Sequence, residues 1–196
     1  MHVLVLNSEF PPIGGGAGNA SAHISNNLLK QGHQVTVLTS AFGSLDSDEN
    51  KDGVRIIRLP ALRRYRDRST AFEQILFMLV LTLWGFFWQL KLRPNAILAF
   101  FGVPSGLSAW IWNFFVKIPY IVLLRGGDVP GFRPYDFGTL HRLISPILRL
   151  IWKGAYAVVA NSQGLKELAL AFEPRIPIKV IPNGVSEMPS SFQMLA

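Results

Sequence analysis

The stretch NSEFPPIGGGAGN, residues 7–19, places Gly14, Gly15, Gly16 and Gly18 after an apolar run and before a helical one. Glycines at such a junction leave backbone N–H groups uncovered, and the positive end of the next helix faces the same way. That combination suits a phosphate or pyrophosphate. A loop that needs glycine only for its turns would use the same residues. Two familiar nucleotide patterns fail in detail. The dinucleotide fingerprint needs G-x-G-x-x-G almost directly after a strand and an acidic residue near the end of the next strand. Here the glycines come late, Asn19 or Ser21 stands where the third glycine belongs, and the second strand ends in Thr39-Ser40. No G-K-[ST] occurs, so a Walker lysine is absent as well.

Three further segments carry polar chemistry at strand ends. Arg125-Gly126-Gly127-Asp128 follows the apolar run Tyr120–Leu124. Arg125 can grip an anion through two parallel hydrogen bonds. Asp128 can accept from hydroxyls or fix the arginine, and a purely structural pair holding the loop is the alternative. Asn161-Ser162 follows Ala157–Ala160, where Ser162 is placed to cap the next helix. Ile181-Pro182-Asn183-Gly184-Val185 is a turn signature leading out of the last strand, and so a candidate hinge. Of the four histidines, His23 follows the glycine loop and can point either way. None has a partner at metal-binding spacing, so no metal is expected, and no nucleophile elbow is present.

The elements that must position these groups alternate regularly. Val3–Leu6 reads as a strand covered on both faces, Asn19–Lys30 as a helix ended by Gly32, and Val35–Leu38 as a second strand. Strands follow at Val54–Leu59, Ala96–Ala99, Tyr120–Leu124, Ala157–Ala160 and Ile178–Ile181. Helices lie between them at Ser69–Leu92 (one long or two short), Ser105–Val116, Thr139–Trp152 and Gln163–Phe172. The polar segment Ser44–Gly53 is expected to be an exposed loop. This alternation predicts an α/β fold: a doubly wound, Rossmann-like parallel sheet of about seven strands with helices on both faces. Ligands then belong in the crevice at the carboxyl ends of the strands, where all four segments fall.

Bulk composition narrows the class. With 49% hydrophobic residues in 196, the chain can bury one sizeable core. There is no cysteine, so neither a disulfide framework nor a thiolate metal site can form. The N-terminus lacks a basic n-region and a cleavage site, so no signal peptide is expected. The net charge of +7 gathers at Arg55, Arg58, Arg63, Arg64, Arg66 and Arg68, just before the fourteen-residue apolar run Ile75–Trp88. A spanning helix needs about 20 residues. The run therefore reads as a buried core helix or as a helix lying in a membrane interface beside the arginines, with a transmembrane span the least favoured of three readings. No aromatic-and-basic ladder accompanies the charge, so lipid or phosphate is favoured and nucleic acid is not expected as a partner.

Five segments taken together, NSEFPPIGGGAGN, LLKQGHQVTVLTS, IVLLRGGDVPG, VVANSQGLKE and IKVIPNGV, resemble the N-terminal domain of family 4 (group 1) GT-B glycosyltransferases. The resemblance spans almost the whole chain and implies one half of a GT-B fold. It implies retaining transfer from a nucleotide-sugar donor, with no metal or other cofactor, to an acceptor held by this domain. A C-terminal domain would bind most of the nucleotide-sugar. By motif, Gly15, Gly16 and Gly18 match the donor diphosphate loop, and Arg125 and Asp128 match the acceptor-side catalytic loop. Asn161, Ser162, Asn183 and Gly184 complete the cleft, and Asn183-Gly184 matches the inter-domain linker. Many members carry histidine where this sequence has Arg125, and an arginine cannot act as a base at neutral pH.

Residues 1–184 are thus expected to form the acceptor-side domain. Residues 185–196 are expected to be a linker or the truncated start of a missing C-terminal donor-binding domain, and the fragment alone to be inactive. The resemblance points to a sugar, polysaccharide or lipid-linked acceptor. A cytoplasmic location is expected, peripheral at the inner face of the cell membrane, with Arg63, Arg64, Arg66 and Arg68 on an anionic surface. Two alternatives stand beside it. A GT-B-shaped sugar-nucleotide epimerase needs carboxylate acid and base groups, and this crevice offers mainly Asp128 and Glu9. A non-catalytic binding module would be completed by a separate donor domain.

Overall fold

Strand β1 (His2–Leu6) is apolar at both alternating sets of positions because both of its faces are covered. Val3 and Val5 pack toward α1 (Gly16–Lys30), whereas Leu4 and Leu6 pack into a second, larger core on the other side. The computed structural model describes residues 1–184, and the expected linker at 185–196 lies outside the described residues. The chain continues through β2 (Gln34–Ser40), β3 (Asp48–Lys51), β4 (Val54–Leu59), α2 (Ala71–Leu92) and β5 (Ala96–Phe100). An irregular turn (Phe101–Gly106), extended at Val103, leads into α3 (Leu107–Val116). Then follow β6 (Tyr120–Leu124), α4 (Pro134–Gly154), β7 (Ala157–Ala160), α5 (Gln163–Phe172) and β8 (Ile178–Val180).

These strands make one eight-stranded sheet in the order β3-β4-β2-β1-β5-β6-β7-β8. Every pairing is parallel except β3 with β4. The doubly wound α/β expectation therefore holds, with eight strands in place of about seven. The additional strand lies inside Ser44–Gly53, read from the sequence as a loop. Its residues are polar and mostly exposed, so no apolar alternation marks them. Its edge is held by charge: Asp48 pairs with Arg55 and Glu49 with Arg58, each at 2.6 Å. A charged edge also discourages pairing with another chain.

The two faces are unequally covered. Helices α2, α3, α4 and α5 pack on one face, with Phe77, Leu81, Trp112, Ile151, Trp152 and Leu165 in its core. On the other face α1 covers β1, β2 and β4 through Ile24, Leu28 and Leu29. Beyond α1, Leu98, Ile121, Leu123 and Val159 floor an open groove.

Ser69–Leu92 resolves into one helix beginning at Ala71. Thr70 Oγ1 accepts from Glu73 N at 3.3 Å, and the Glu73 carboxylate accepts from Thr70 N at 2.7 Å, a complete capping box. Only Glu73, Phe77, Leu81, Gly85 and Gln89 of α2 are buried. The core-helix reading of Ile75–Trp88 is therefore correct for one narrow stripe and wrong for the opposite side.

Candidate active site

Asn7, fully buried at the end of β1, ties the glycine loop to its surroundings. Its Nδ2 donates to Ala17 O at 3.2 Å, and its Oδ1 accepts from Glu9 N at 3.2 Å. Phe10 and Ile13 plug the loop into the core. Gly14 has φ +91°, and a Cβ there would lie 2.5 Å from the Glu9 Cβ, so only glycine fits. Gly15 is the N-cap of α1, which starts three residues before the position read from the sequence, and no side chain caps it.

The three glycines assigned to the diphosphate loop are not equivalent. Gly15 and Gly16 are exposed, and a Cβ on either would meet nothing within 4 Å. Gly18 is buried, and a Cβ would come within 3.0 Å of Ile13 O, so it serves helix-to-loop packing. The Gly15 N–H, at the positive end of α1, donates to Glu9 Oε2 at 3.2 Å. The anion position suggested by the sequence is thus shared with a carboxylate of the chain itself.

Arg125 leaves the end of β6 half-buried. Its Nη1 donates to Asn183 Oδ1 at 2.7 Å, and its guanidinium lies 4.6 Å from the centroid of the buried Phe100 ring. Burial pulls its pKa below the ordinary arginine value and nearby Asp128 opposes this; an arginine so placed stays cationic at neutral pH. Asp128 fits the structural one of its two expected roles, with backbone N–H groups rather than the arginine side chain as its partners. It is 5% exposed, and both oxygens are engaged by backbone. Oδ1 accepts from Arg125 N at 3.0 Å and Gly126 N at 3.2 Å, and Oδ2 accepts from Gly102 N at 2.8 Å. Burial pushes its carboxyl upward while these N–H groups pull it down. Asp128 therefore positions the loop, and the geometry offers it no sugar hydroxyl. His141 of α4 supports the same loop, with Nε2 2.9 Å from Gly127 O.

Ser162 caps α5, its Oγ accepting from Leu165 N at 3.2 Å. Asn161, Asn183, Gly184, Arg125 and Gly16 line one crevice of about 740 Å³ between α1 and the segment after β8. Its other wall is a polar stripe on α1 that the motif reading missed: Asn19, His23 and Asn27. Their spacing of four residues carries the signal, because it puts all three on one helix side.

The arginine cluster divides. Arg63 was expected on a membrane patch, yet it is 8% exposed. Its Nη1 donates to Ser8 O at 3.2 Å and its Nε to Tyr65 O at 2.9 Å, and it lies 3.8 Å from Glu9. Buried backbone acceptors and a carboxylate hold it inside, which corrects its assignment. Arg64, Arg66 and Arg68 are exposed. Arg66 Nε donates to Pro12 O at 2.7 Å, and Gly14 N donates to Arg66 O at 2.8 Å, so the basic loop is stitched to the glycine loop. Among the described residues, no group of three His, Asp or Glu is arranged to hold a metal.

A family model described as a glycosyl transferase 4-like domain matches residues 15–184. No curated protein matches the sequence. Sucrose-phosphate synthase from Thermosynechococcus elongatus superposes with a TM-score of 0.72 at 18% identity, over 94% of this chain and 48% of that one. The catalytic domain of starch synthase IV from Arabidopsis thaliana, solved with ADP and acarbose, gives 0.64 at 12% identity over 94% and 52%. UDP-GlcNAc 2-epimerase from Neisseria meningitidis, solved with UDP-GlcNAc, gives 0.59 at 14% identity over 93% and 46%. The chain spans about half the length of these structures. At such identities the likeness shows the fold, the Rossmann-like half of a GT-B protein.

Proposed function

The chain belongs to the glycosyl transferase 4-like family, and from that premise we propose that it is the acceptor-side half of a retaining glycosyltransferase. The observation that carries this is the meeting, at the carboxyl ends of the strands, of the open α1 start at Gly16 and the half-buried Arg125 on one crevice. A nucleotide-sugar held by a second domain presents its diphosphate to the α1 N-terminus. The helix dipole and the free Gly16 region stabilise the charge that grows on the departing diphosphate. Arg125, a fixed cation, orients an oxygen of donor or acceptor. It takes no proton, so proton transfer falls to another group or to the leaving phosphate itself. The polar stripe Asn19, His23 and Asn27 gives hydroxyl-binding partners for a sugar or lipid-linked acceptor.

On this reading most contacts to the donor diphosphate come from the second domain, so residues 1–196 alone are expected to be inactive. Sugar transfer from UDP-, GDP- and ADP-sugars by the full-length protein, absent from residues 1–196, is the expected pattern. Turnover by the short chain would contradict it. The fold likeness to a UDP-GlcNAc 2-epimerase supports a second reading. Against it, the two nearby carboxylates are committed: Asp128 to three backbone N–H groups, and Glu9 to Gly15 N with Arg63 nearby. An epimerase needs carboxyls free to exchange protons.

A further inference from the structure

Helix α2 is apolar on two opposite sides. One stripe, from Glu73 to Gln89, packs on the sheet and α3, where a Cβ on Gly85 would come within 3.0 Å of Trp112. Opposite it, Phe72, Ile75, Leu79, Leu83 and Phe87 recur at helical spacing and are each more than half exposed. Trp84 lies beside them at 63%. The surface continues onto α3 through Phe114 and Phe115, at 59% and 73%, where the Phe115 ring meets Phe86 of α2 at 5.8 Å. Contiguous exposed apolar area on this scale marks an interaction site.

Charge identifies the occupant. Both ends of the surface are basic: Arg64, Arg66 and Arg68 precede α2, Lys91 sits in its last turn, and Arg93 and Lys117 follow the ends of α2 and α3, all exposed. The one acidic residue of α2, Glu73, is buried in the capping box, and Asp67 alone interrupts the basic loop. Leu62 and Tyr65 are exposed among the arginines, mixing apolar and basic groups as an interfacial segment does. We propose that the α2–α3 surface docks on an anionic lipid bilayer, with α2 lying in the plane of the interface. At 22 residues the helix is about 33 Å long, enough to cross a bilayer. Its packed stripe forbids crossing, since leaving the domain would expose Phe77 and Leu81. Pairing with a second copy through α2 would bring basic ends together in either orientation.

The docking surface and the crevice lie on opposite faces of the sheet and share its carboxyl end. α2 runs antiparallel to the strands, so its N-terminus lies at their carboxyl ends, where Arg66 and Gly14 stitch the basic loop to the glycine loop. The inference adds to the glycosyltransferase reading without resting on it, because its test reads binding alone.

The full-length protein is sedimented with vesicles of phosphatidylcholine and phosphatidylglycerol, and with phosphatidylcholine alone. The wild type is expected to bind the anionic vesicles. Leu83→Glu with Phe87→Glu lowers partitioning by about 100-fold or more, and Arg64→Ser with Arg68→Ser by roughly 10- to 30-fold on anionic vesicles alone. Brominated lipid quenches tryptophan emission in the wild type and much less in Trp84→Phe, a readout that does not depend on the glutamate pair folding. Vesicle binding unchanged by Leu83→Glu with Phe87→Glu, or no difference in quenching for Trp84→Phe, would overturn the proposal. So would a wild-type dimer that the glutamate pair dissociates without any vesicle binding.

Discussion

Arg125 and Asn183 stand 58 residues apart in sequence, and a 2.7 Å hydrogen bond joins Nη1 of one to Oδ1 of the other. The bond links the loop after β6 to the segment by which the chain leaves its last strand. The guanidinium is also held against Phe100 and stays charged, which gives the crevice a fixed cation. Arg125→Ala is expected to lower kcat/KM of the full-length enzyme by roughly 100- to 1000-fold, the scale of losing a preorganised charge. Its unfolding free energy should change by no more than about 1 kcal/mol. Arg125→Lys keeps the charge, loses the planar fork, and should fall between the two. Steady-state kinetics with urea denaturation checks both.

Two glycines two residues apart, Gly14 and Gly16, should respond oppositely. Gly16→Val places methyls in open space at the α1 N-terminus, so stability holds to within about 1 kcal/mol while transfer falls by about 100-fold or more. Gly14→Ala forces a side chain onto a positive φ and into Glu9, and should destabilise by about 2 to 4 kcal/mol. Thermal melts and turnover on the same preparations separate these outcomes.

Glu9 shares the α1 N-terminus with any incoming diphosphate through its bond to Gly15 N. Glu9→Gln removes a like charge from that position and should strengthen inhibition by a nucleoside diphosphate by roughly 3- to 10-fold. Calorimetric titration of the full-length protein measures it, and weaker binding would mean that Glu9 organises the loop for the ligand.

Asp128 gives a pH dependence of definite sign. Burial raises its folded-state pKa, so folding favours the protonated acid. Its contribution is complete below the ordinary carboxylate value of about 4 and is lost as pH rises through the folded value. Asp128→Asn cannot ionise. The stability advantage of wild type over Asp128→Asn should therefore narrow as pH is raised from about 4, as followed by urea unfolding across a pH series. Asp128→Ala leaves three backbone donors without their acceptor and should cost about 3 kcal/mol or more.

The strand-helix alternation was readable because fully buried parallel strands such as β1 and β6 are continuous apolar runs between glycine or proline punctuation. Strand β3 was not, since it is held by Asp48–Arg55 and Glu49–Arg58 pairs rather than by burial. The motif positions around the crevice followed from the carboxyl-end rule, and Asn161, Asn183 and Gly16 do line it. What each side chain does was less legible. Arg63 and Arg64 look alike in sequence, yet one turns inward to Ser8 O and the other stays exposed. Asp128 carries a charge that suggests chemistry, and only three-dimensional packing shows its oxygens spent on backbone N–H groups. Likewise, apolarity alone could not show which side of α2 faces the core, because both sides are apolar.

The most direct test is the stereochemistry of the product. The full-length protein is supplied with UDP-, GDP- and ADP-sugars and an acceptor panel that includes lipid-linked sugars, and the new glycosidic bond is read by NMR. Transfer with the donor's anomeric configuration retained, lost in Gly16→Val, is the predicted result. An epimerised nucleotide-sugar with no transfer, or a product of inverted configuration, would contradict the account.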